Sequence, residues 1–492
     1  MTDDRAPTGI AGLDSVLMGG FPRDRIYLVD GDPGAGKTTL ALQFLLAGVA
    51  AGERVLYITL SETETEIRLI ADSHEWSLQG ISMFELSALE QQMCIDSENT
   101  IFHPSDIELT ETTRTLLKRV DEIKPQRVVF DSLSELRLLA QSQLRYRREV
   151  LNLKQYFAGK HCTVMLLDDR TSDPNDMQLQ SLAHGVLSME QLAPEYGGDR
   201  RRLRVTKLRG SRFRSGYHDF IIETGGLAVY PRLVAAEHHV AFKRDCISSG
   251  LPELDRVLGG GIHRGTSTLF LGPAGAGKSA ITAQYATAAA ERGECSVIFA
   301  FDELRATALA RAESLGLQLG KHVESGRVIV QQIDPAEMSP GELAHRARDL
   351  VENRDVKLVV IDSLNGYLHA MPAEQYLYIQ LHEMLSYFGR LGVTTLMVMA
   401  QAGLVGNTVS PVDVSYIADN VLLLRYFEAE GRVRKAISMI KKRTGPHEDT
   451  IRELSMDSRG LTIGRPLSEF RGILTTAPEY HGAREKLDAH HS

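Results

Sequence analysis

At 492 residues the chain is too long for one ordinary hydrophobic core, and two domains of about 240 residues each suit it better. A formal charge of -9 argues against a protein that coats nucleic acid with its whole surface, although one basic stripe could still bind it. Cys94, Cys162, Cys246 and Cys295 lie far apart with no CxxC pair, and no stretch approaches the roughly eighteen apolar residues that span a bilayer, so zinc, disulfide-framework and membrane classes are set aside. With no basic or apolar leader at Met1–Gly9, a cytoplasmic protein is expected.

The first expected strand, Tyr27–Asp30, runs into Gly31–Thr38, which reads GDPGAGKT and matches GxxxxGK[ST]. Gly34, Ala35 and Gly36 let backbone N–H groups converge on phosphate oxygens, and Lys37 adds a point charge. Thr38, followed by Thr39 at the helix start, offers a hydroxyl to magnesium. ATP and Mg2+ are the expected ligands. Helical spacing follows over Leu40–Glu53, then a β-rich run over Arg54–Leu60 that ends in Ser61 and Glu62. This is the opening of a parallel sheet flanked by helices. A carboxylate at such a strand end can orient a water or take a proton; the other reading of Glu62 is an acid near a helix N-cap. Arg127–Phe130 leads to Asp131 and Ser132, and an aspartate there, behind a phosphate loop, holds magnesium through its water shell. A fourth strand, Thr163–Leu167, leads to Asp168, Asp169 and Arg170, which could sense a γ-phosphate or only cap a turn.

The first half closes in hairpin-like text rich in arginine, Arg200–Gly210 with Arg212 and Arg214 beyond it. Lys207 and Arg209 share one side of a strand in K-x-R spacing. Three readings stay open: a pair reaching a neighbouring subunit's γ-phosphate, a solvated cationic face, or a nucleic-acid groove. Pro231–His239 reads as the linker.

The second half repeats the first. Ser249–Asp255 answers Thr8–Asp14, and both the aspartates and the loop lysines are 241 residues apart (255 − 14 and 278 − 37). Gly272–Ser279 reads GPAGAGKS, so Gly275, Ala276, Gly277, Lys278, Ser279 and Ala280 take the places of the first loop. Ser296–Phe301 ends in Asp302 and Glu303, Leu358–Ile361 ends in Asp362 and Ser363, and Thr394–Ala400 leads to Gln401. Ser279 and Asp362 are the matching magnesium residues, and Lys441 and Arg443 repeat the K-x-R pair. The fold expected is α/β: tandem RecA-like P-loop NTPase domains over 1–235 and 236–475, each a mostly parallel sheet flanked by helices with C-terminal β-hairpins, then a flexible tail over 476–492.

On these doubled loops, the S/T-G-x-x-x-L-D openings and the K-x-R pairs, the chain resembles the two-domain KaiC family over about residues 8 to 475. The resemblance implies a double-ring homohexamer with ATP at subunit seams, Lys207, Arg209, Lys441 and Arg443 acting in trans, slow hydrolysis in the first ring, and serine autokinase activity in the second. It implies Glu62 as water activator in the first ring and Asp302 where a kinase base is expected. Ser415 falls on the first phosphoacceptor of Pro411–Asp419, and Tyr416 stands where clock members have threonine, its oxygen several ångströms farther out. The short polar tail departs from the segment that an activating partner grips, and Asp362–Tyr367 looks closer to non-clock relatives linked to signalling. Two other functions remain in view: a RecA-like recombination or helicase motor, and a signalling scaffold that nucleotide merely assembles. Regulatory proteins are expected partners; nucleic acid and membrane are not.

Overall fold

Two nine-stranded sheets with the same strand order carry the chain, one in each of two units that divide between Arg232 and Leu233. The computed structural model describes residues 4–85, 104–140, 142–169, 178–194, 197–369, 377–401, 415–473 and 479–481. Arg170, Cys94, the 411–414 part of the acceptor segment and most of the 476–492 tail lie outside the described residues.

In the first unit the strands are β1 (Ile26–Gly31), β2 (Val55–Thr59), β3 (Ile81–Glu85), β4 (Arg127–Asp131), β5 (Thr163–Asp169), β6 (Gly185–Leu192), β7 (Arg200–Leu208), β8 (His218–Glu223) and β9 (Gly226–Tyr230). Across the sheet they run β9-β8-β7-β6-β1-β5-β4-β2-β3. The six strands from β6 to β3 are parallel, and β7, β8 and β9 return antiparallel. The second unit holds β10 (Ser267–Gly272), β11 (Cys295–Ala300), β12 (Val328–Gln332), β13 (Val356–Asp362), β14 (Thr394–Ala400), β15 (Asn420–Ala429), β16 (Arg432–Lys442), β17 (Arg452–Asp457) and β18 (Gly460–Pro466). Its order, β18-β17-β16-β15-β10-β14-β13-β11-β12, is the first sheet repeated.

The strand sequences explain why both faces are covered. The central strands are near-continuous apolar runs, and their period of two sends alternate residues to opposite cores. Tyr27 and Val29 enter one cluster with Val55 and Tyr57, while Ile26 and Leu28 enter the other with Leu56 and Ile58. In the second unit Phe270 and Ile298 point one way and Leu269, Val297 and Phe299 the other. Helix α1 (Lys37–Ala50) buries Leu40, Phe44 and Leu45 in the first core, and helix α2 (Lys278–Glu291) buries Ile281, Tyr285 and Ala289 in the second. Both helices therefore start at a fixed height above their sheet, just past the strand that feeds them.

The segment read as a linker is partly structured. Ala235–Glu237 forms a short 3-10 turn, and Ala235 is buried in the second unit's core. Its amide donates to Glu383.

Candidate functional site

Each phosphate loop leaves the end of a central strand and enters a helix through a left-handed glycine. Gly36 has φ 93° and Gly277 φ 106°, a region that side chains enter only with strain. A Cβ on Gly36 would also stand 2.6 Å from Ile222 Cδ1. Gly34 and Gly275 are left-handed too, at φ 79° and 74°. Ala35, Ala276 and Ala280 are buried in the cores and can offer a ligand only backbone groups, and Thr39 is buried beside them.

Lys37 is buried, and its ammonium donates to the carbonyls of Gly31 at 3.0 Å and Asp32 at 2.9 Å, curling the loop around it. It also forms an ion pair with Asp169 at 2.7 Å. Thr38 Oγ1 donates to Asp131 Oδ2 at 2.8 Å, and the buried Tyr57 hydroxyl donates to the same oxygen. Burial raises the Asp131 carboxyl above its ordinary range against the pull of Tyr57, Thr38 and Lys37. Glu62 is half-buried at the end of β2. Its Oε2 is buried with no hydrogen-bond partner, and burial, then Asp131, Glu66 and Asp169, raise its pKa. A carboxylate held up in this way, beside a hydroxyl and a second carboxylate, can accept a proton from water.

The second site has the same frame with different occupants. Lys278 donates to the carbonyls of Gly272 at 2.8 Å and Pro273 at 2.7 Å, and burial pushes its ammonium down to about 8. Asp362 is hydrogen-bonded by Ser279 and raised by burial. Glu303 is gripped by Arg311, and Asp302 accepts from the Ser363 hydroxyl.

The fourth strand runs farther than the sequence suggests. β5 continues through Asp168 and Asp169, and register places Asp169 beside Gly31, while Ala400, ahead of Gln401, takes the equivalent place beside Gly272. Pairing to β1 extends the strand where polarity implies a turn. Asp169 also accepts from Ser134 at 3.1 Å, and Asp168 pairs with Arg137 at 2.6 Å.

The K-x-R pairs lie two strands from their own loops and toward the opposite end of the strands. Lys207 stands beside Val186 near the start of β6, level with Leu28, and Lys441 beside Val421 near the start of β15, level with Leu269, three residues or about 10 Å of strand back from Gly31 and Gly272. Lys207 donates to the Gln180 carbonyl at 2.7 Å, and Arg209 to Ser181 at 2.9 Å. Lys441 donates to the carbonyls of Ser415 at 2.8 Å and Ala418 at 2.7 Å, and Arg443 to that of Tyr416 at 2.7 Å. Thus the second pair straps down the turn that carries both expected acceptors. Tyr416 is exposed and Ser415 partly so.

Upstream in β7, Arg202 pairs with Glu190 at 2.8 Å, and both Arg202 and Arg204 lie over the Tyr217 ring. These contacts engage Arg202 and Arg204 within the chain itself. Among the described residues no helix is long and apolar enough to cross a membrane.

Sequence reasoning missed Tyr57 and Arg311, because each serves the site through a partner on another element. Tyr57 could have been noticed as a hydroxyl set between Leu56 and Ile58 in mid-strand. Arg311 carries no such signal, since an arginine within a helix is ordinary.

The donor sets suit a phosphate chain and a hard cation: loops turned through left-handed glycines, buried ammonium groups, and a hydroxyl beside a buried carboxylate. The family model described as "ATPase: KaiC" matches residues 6–234 and again 247–468. The circadian clock protein KaiC3 of Synechocystis sp. is 25% identical, over 98% of this chain and 96% of that protein. The circadian clock oscillator protein KaiC of Prochlorococcus marinus is 25% identical, over 97% and 96%. The circadian clock protein KaiC2 of Synechocystis sp. is 27% identical, over 93% and 81%.

Proposed function

Because the chain belongs to the KaiC family of RecA-like ATPases, we propose that it binds ATP with Mg2+ at both phosphate loops, hydrolyses it slowly, and assembles as a double-ring homohexamer with nucleotide at the seams. The observation that carries the reading is the Lys37, Thr38, Asp131 and Glu62 constellation, in which a buried ammonium, a hydroxyl and two carboxylates converge at the mouth of one glycine loop. Magnesium, when bound, neutralises phosphate charge. Thr38 and Asp131 would hold it, with Ser279 and Asp362 as counterparts. Lys37 and the loop amides orient the phosphates, and Glu62 takes a proton from the attacking water. Lys207 with Arg209, and Lys441 with Arg443, would act on a neighbour's γ-phosphate, since they stand toward the opposite end of the strands from their own loop.

The second site is read as a serine autokinase as well, with Ser415 as acceptor and Asp302 as base. Support comes from the position of Ser415 and Tyr416 on a turn held by Lys441 and Arg443. A role in signalling or clock-like regulation follows from the relatives' names.

One experiment tests both halves. Full-length protein is incubated with γ-labelled ATP and magnesium, and released phosphate and phosphopeptides are followed. Glu62→Gln should cut phosphate release by about a hundredfold or more, as expected for loss of a general base. Label should appear on Ser415 and vanish in Ser415→Ala. Unchanged release in Glu62→Gln overturns the hydrolytic reading, and absence of label from residues 410 to 416 overturns the kinase reading.

A further inference from the structure

The two strand-end glutamates occupy equivalent positions, 303 − 241 being 62, yet their surroundings differ. Glu62 has an unpartnered buried oxygen. Glu303 has both oxygens engaged by Arg311, with Nε 3.2 Å from Oε1 and a terminal nitrogen 2.6 Å from Oε2. This is the two-pronged arrangement in which a guanidinium matches a carboxylate best. Ile70 stands at the position of Arg311 in the first unit, 311 − 241 being 70, so no such grip can form there.

The helices that follow differ in step with this. The first begins at Thr63, whose side chain accepts from Glu66 N while the Glu66 side chain accepts from Thr63 N, so its entry is fixed without Glu62. The second begins after Leu304, which offers no side-chain cap, and the Glu303–Arg311 pair ties that entry instead.

We infer that Arg311 is a positioning residue that withholds Glu303 from water activation, so that the second site retains ATP while the first turns it over. The step concerned is attack of a water oxygen on the γ-phosphorus. A new P–O bond forms as the bond to the bridging oxygen breaks, ADP leaves with that electron pair, and inorganic phosphate is the second product. The water's proton goes to a carboxylate oxygen and then to solvent. With both oxygens engaged by a cation, Glu303 is a poor acceptor for that proton. Asp302, the second acid at this strand end, is itself engaged by Ser363. The inference rests on the reading of Glu62 as the water-activating carboxylate, with Glu303 as its positional equivalent in the second site.

The test uses full-length protein with the first site silenced by Glu62→Gln, measuring phosphate release at varied Mg-ATP. In that background Arg311→Met should raise kcat by about tenfold with KM little changed, and adding Glu303→Gln should return it to the floor. Arg311→Lys, which keeps a cation but not the fork, should give a smaller rise. A role confined to anchoring the helix predicts the opposite, a lower melting temperature with kcat unchanged or reduced. That result in both Arg311 variants overturns the inference, and if Arg311→Met fails to fold, Arg311→Lys decides alone. Glu62→Gln as active as wild type overturns the underlying reading and this inference with it. Glu62→Gln impaired, with no rise on changing Arg311, overturns only the inference.

Discussion

Two lysines in matching loops meet different electrostatics. Lys37 has Asp169 as counter-charge at 2.7 Å, whereas the equivalent residue for Lys278 is Ala400, and burial lowers its pKa to about 8. Below that value the ammonium is charged and favours an anion; above it the charge is lost. With the first loop disabled by Lys37→Ala, ATP affinity at the second site should fall by about tenfold between pH 7 and pH 9, following the protonated fraction of Lys278. Titration of a fluorescent ATP analogue measures this, and a flat profile would contradict it. Asp168 gives a second pH effect. Burial raises its carboxyl from 3.8 to about 6, the Arg137 ion pair opposing. A raised folded pKa means that the folded state binds the proton more tightly, so this contribution to stability is full below pH 3.8 and is lost as pH rises through about 6. Thermal melts of Asp168→Asn across that window should show a shallower decline than the unmodified chain.

At the level of strands and helices, much of the fold was legible in the sequence, because near-continuous apolar runs before glycine loops leave few alternatives to a buried parallel sheet. The loop lysines, Thr38 with Asp131, and Glu62 could be read for the same reason: each ends or follows a strand that the pattern locates. What could not be read depends on register and on helix rotation. Asp169 reaches Lys37 only because β5 pairs with β1 two residues farther than its polarity suggests, and Arg311 reaches Glu303 across two turns of helix. The strand openings hide a further difference. β4 begins with Arg127, fully buried, paired with Glu53 at 2.5 Å and donating to the carbonyls of Pro7 and Phe44, where the repeat has Leu358 at the matching register. Removing it leaves those oxygens without their donor beside a carboxylate that retains only Arg23. Arg127→Ala should destabilise the first unit by about 3 kcal/mol, read from denaturant unfolding, with the second unit's transition unmoved.

For the whole molecule, the proposed seams make a mixing experiment decisive. Glu62→Gln lacks the base but keeps the cationic strand, and the double variant Lys207→Ala/Arg209→Ala lacks the strand but keeps the base. If the strand acts on a neighbour, inactive proteins combined in equal amounts should recover part of the activity, measured as phosphate release after subunit exchange; no recovery would place the cations in their own subunit's service. The position of those cations has one more consequence. If the cations serve a neighbour's loop, a glycine loop at one end of the strands and its complement toward the other would give every subunit a head and a tail, so that like faces never meet like. Contacts of that kind bend round to close or else run on as a filament, and the rotation at each joint decides which. A substitution that tilts the joint without weakening it should therefore convert discrete particles into fibres visible by negative-stain microscopy.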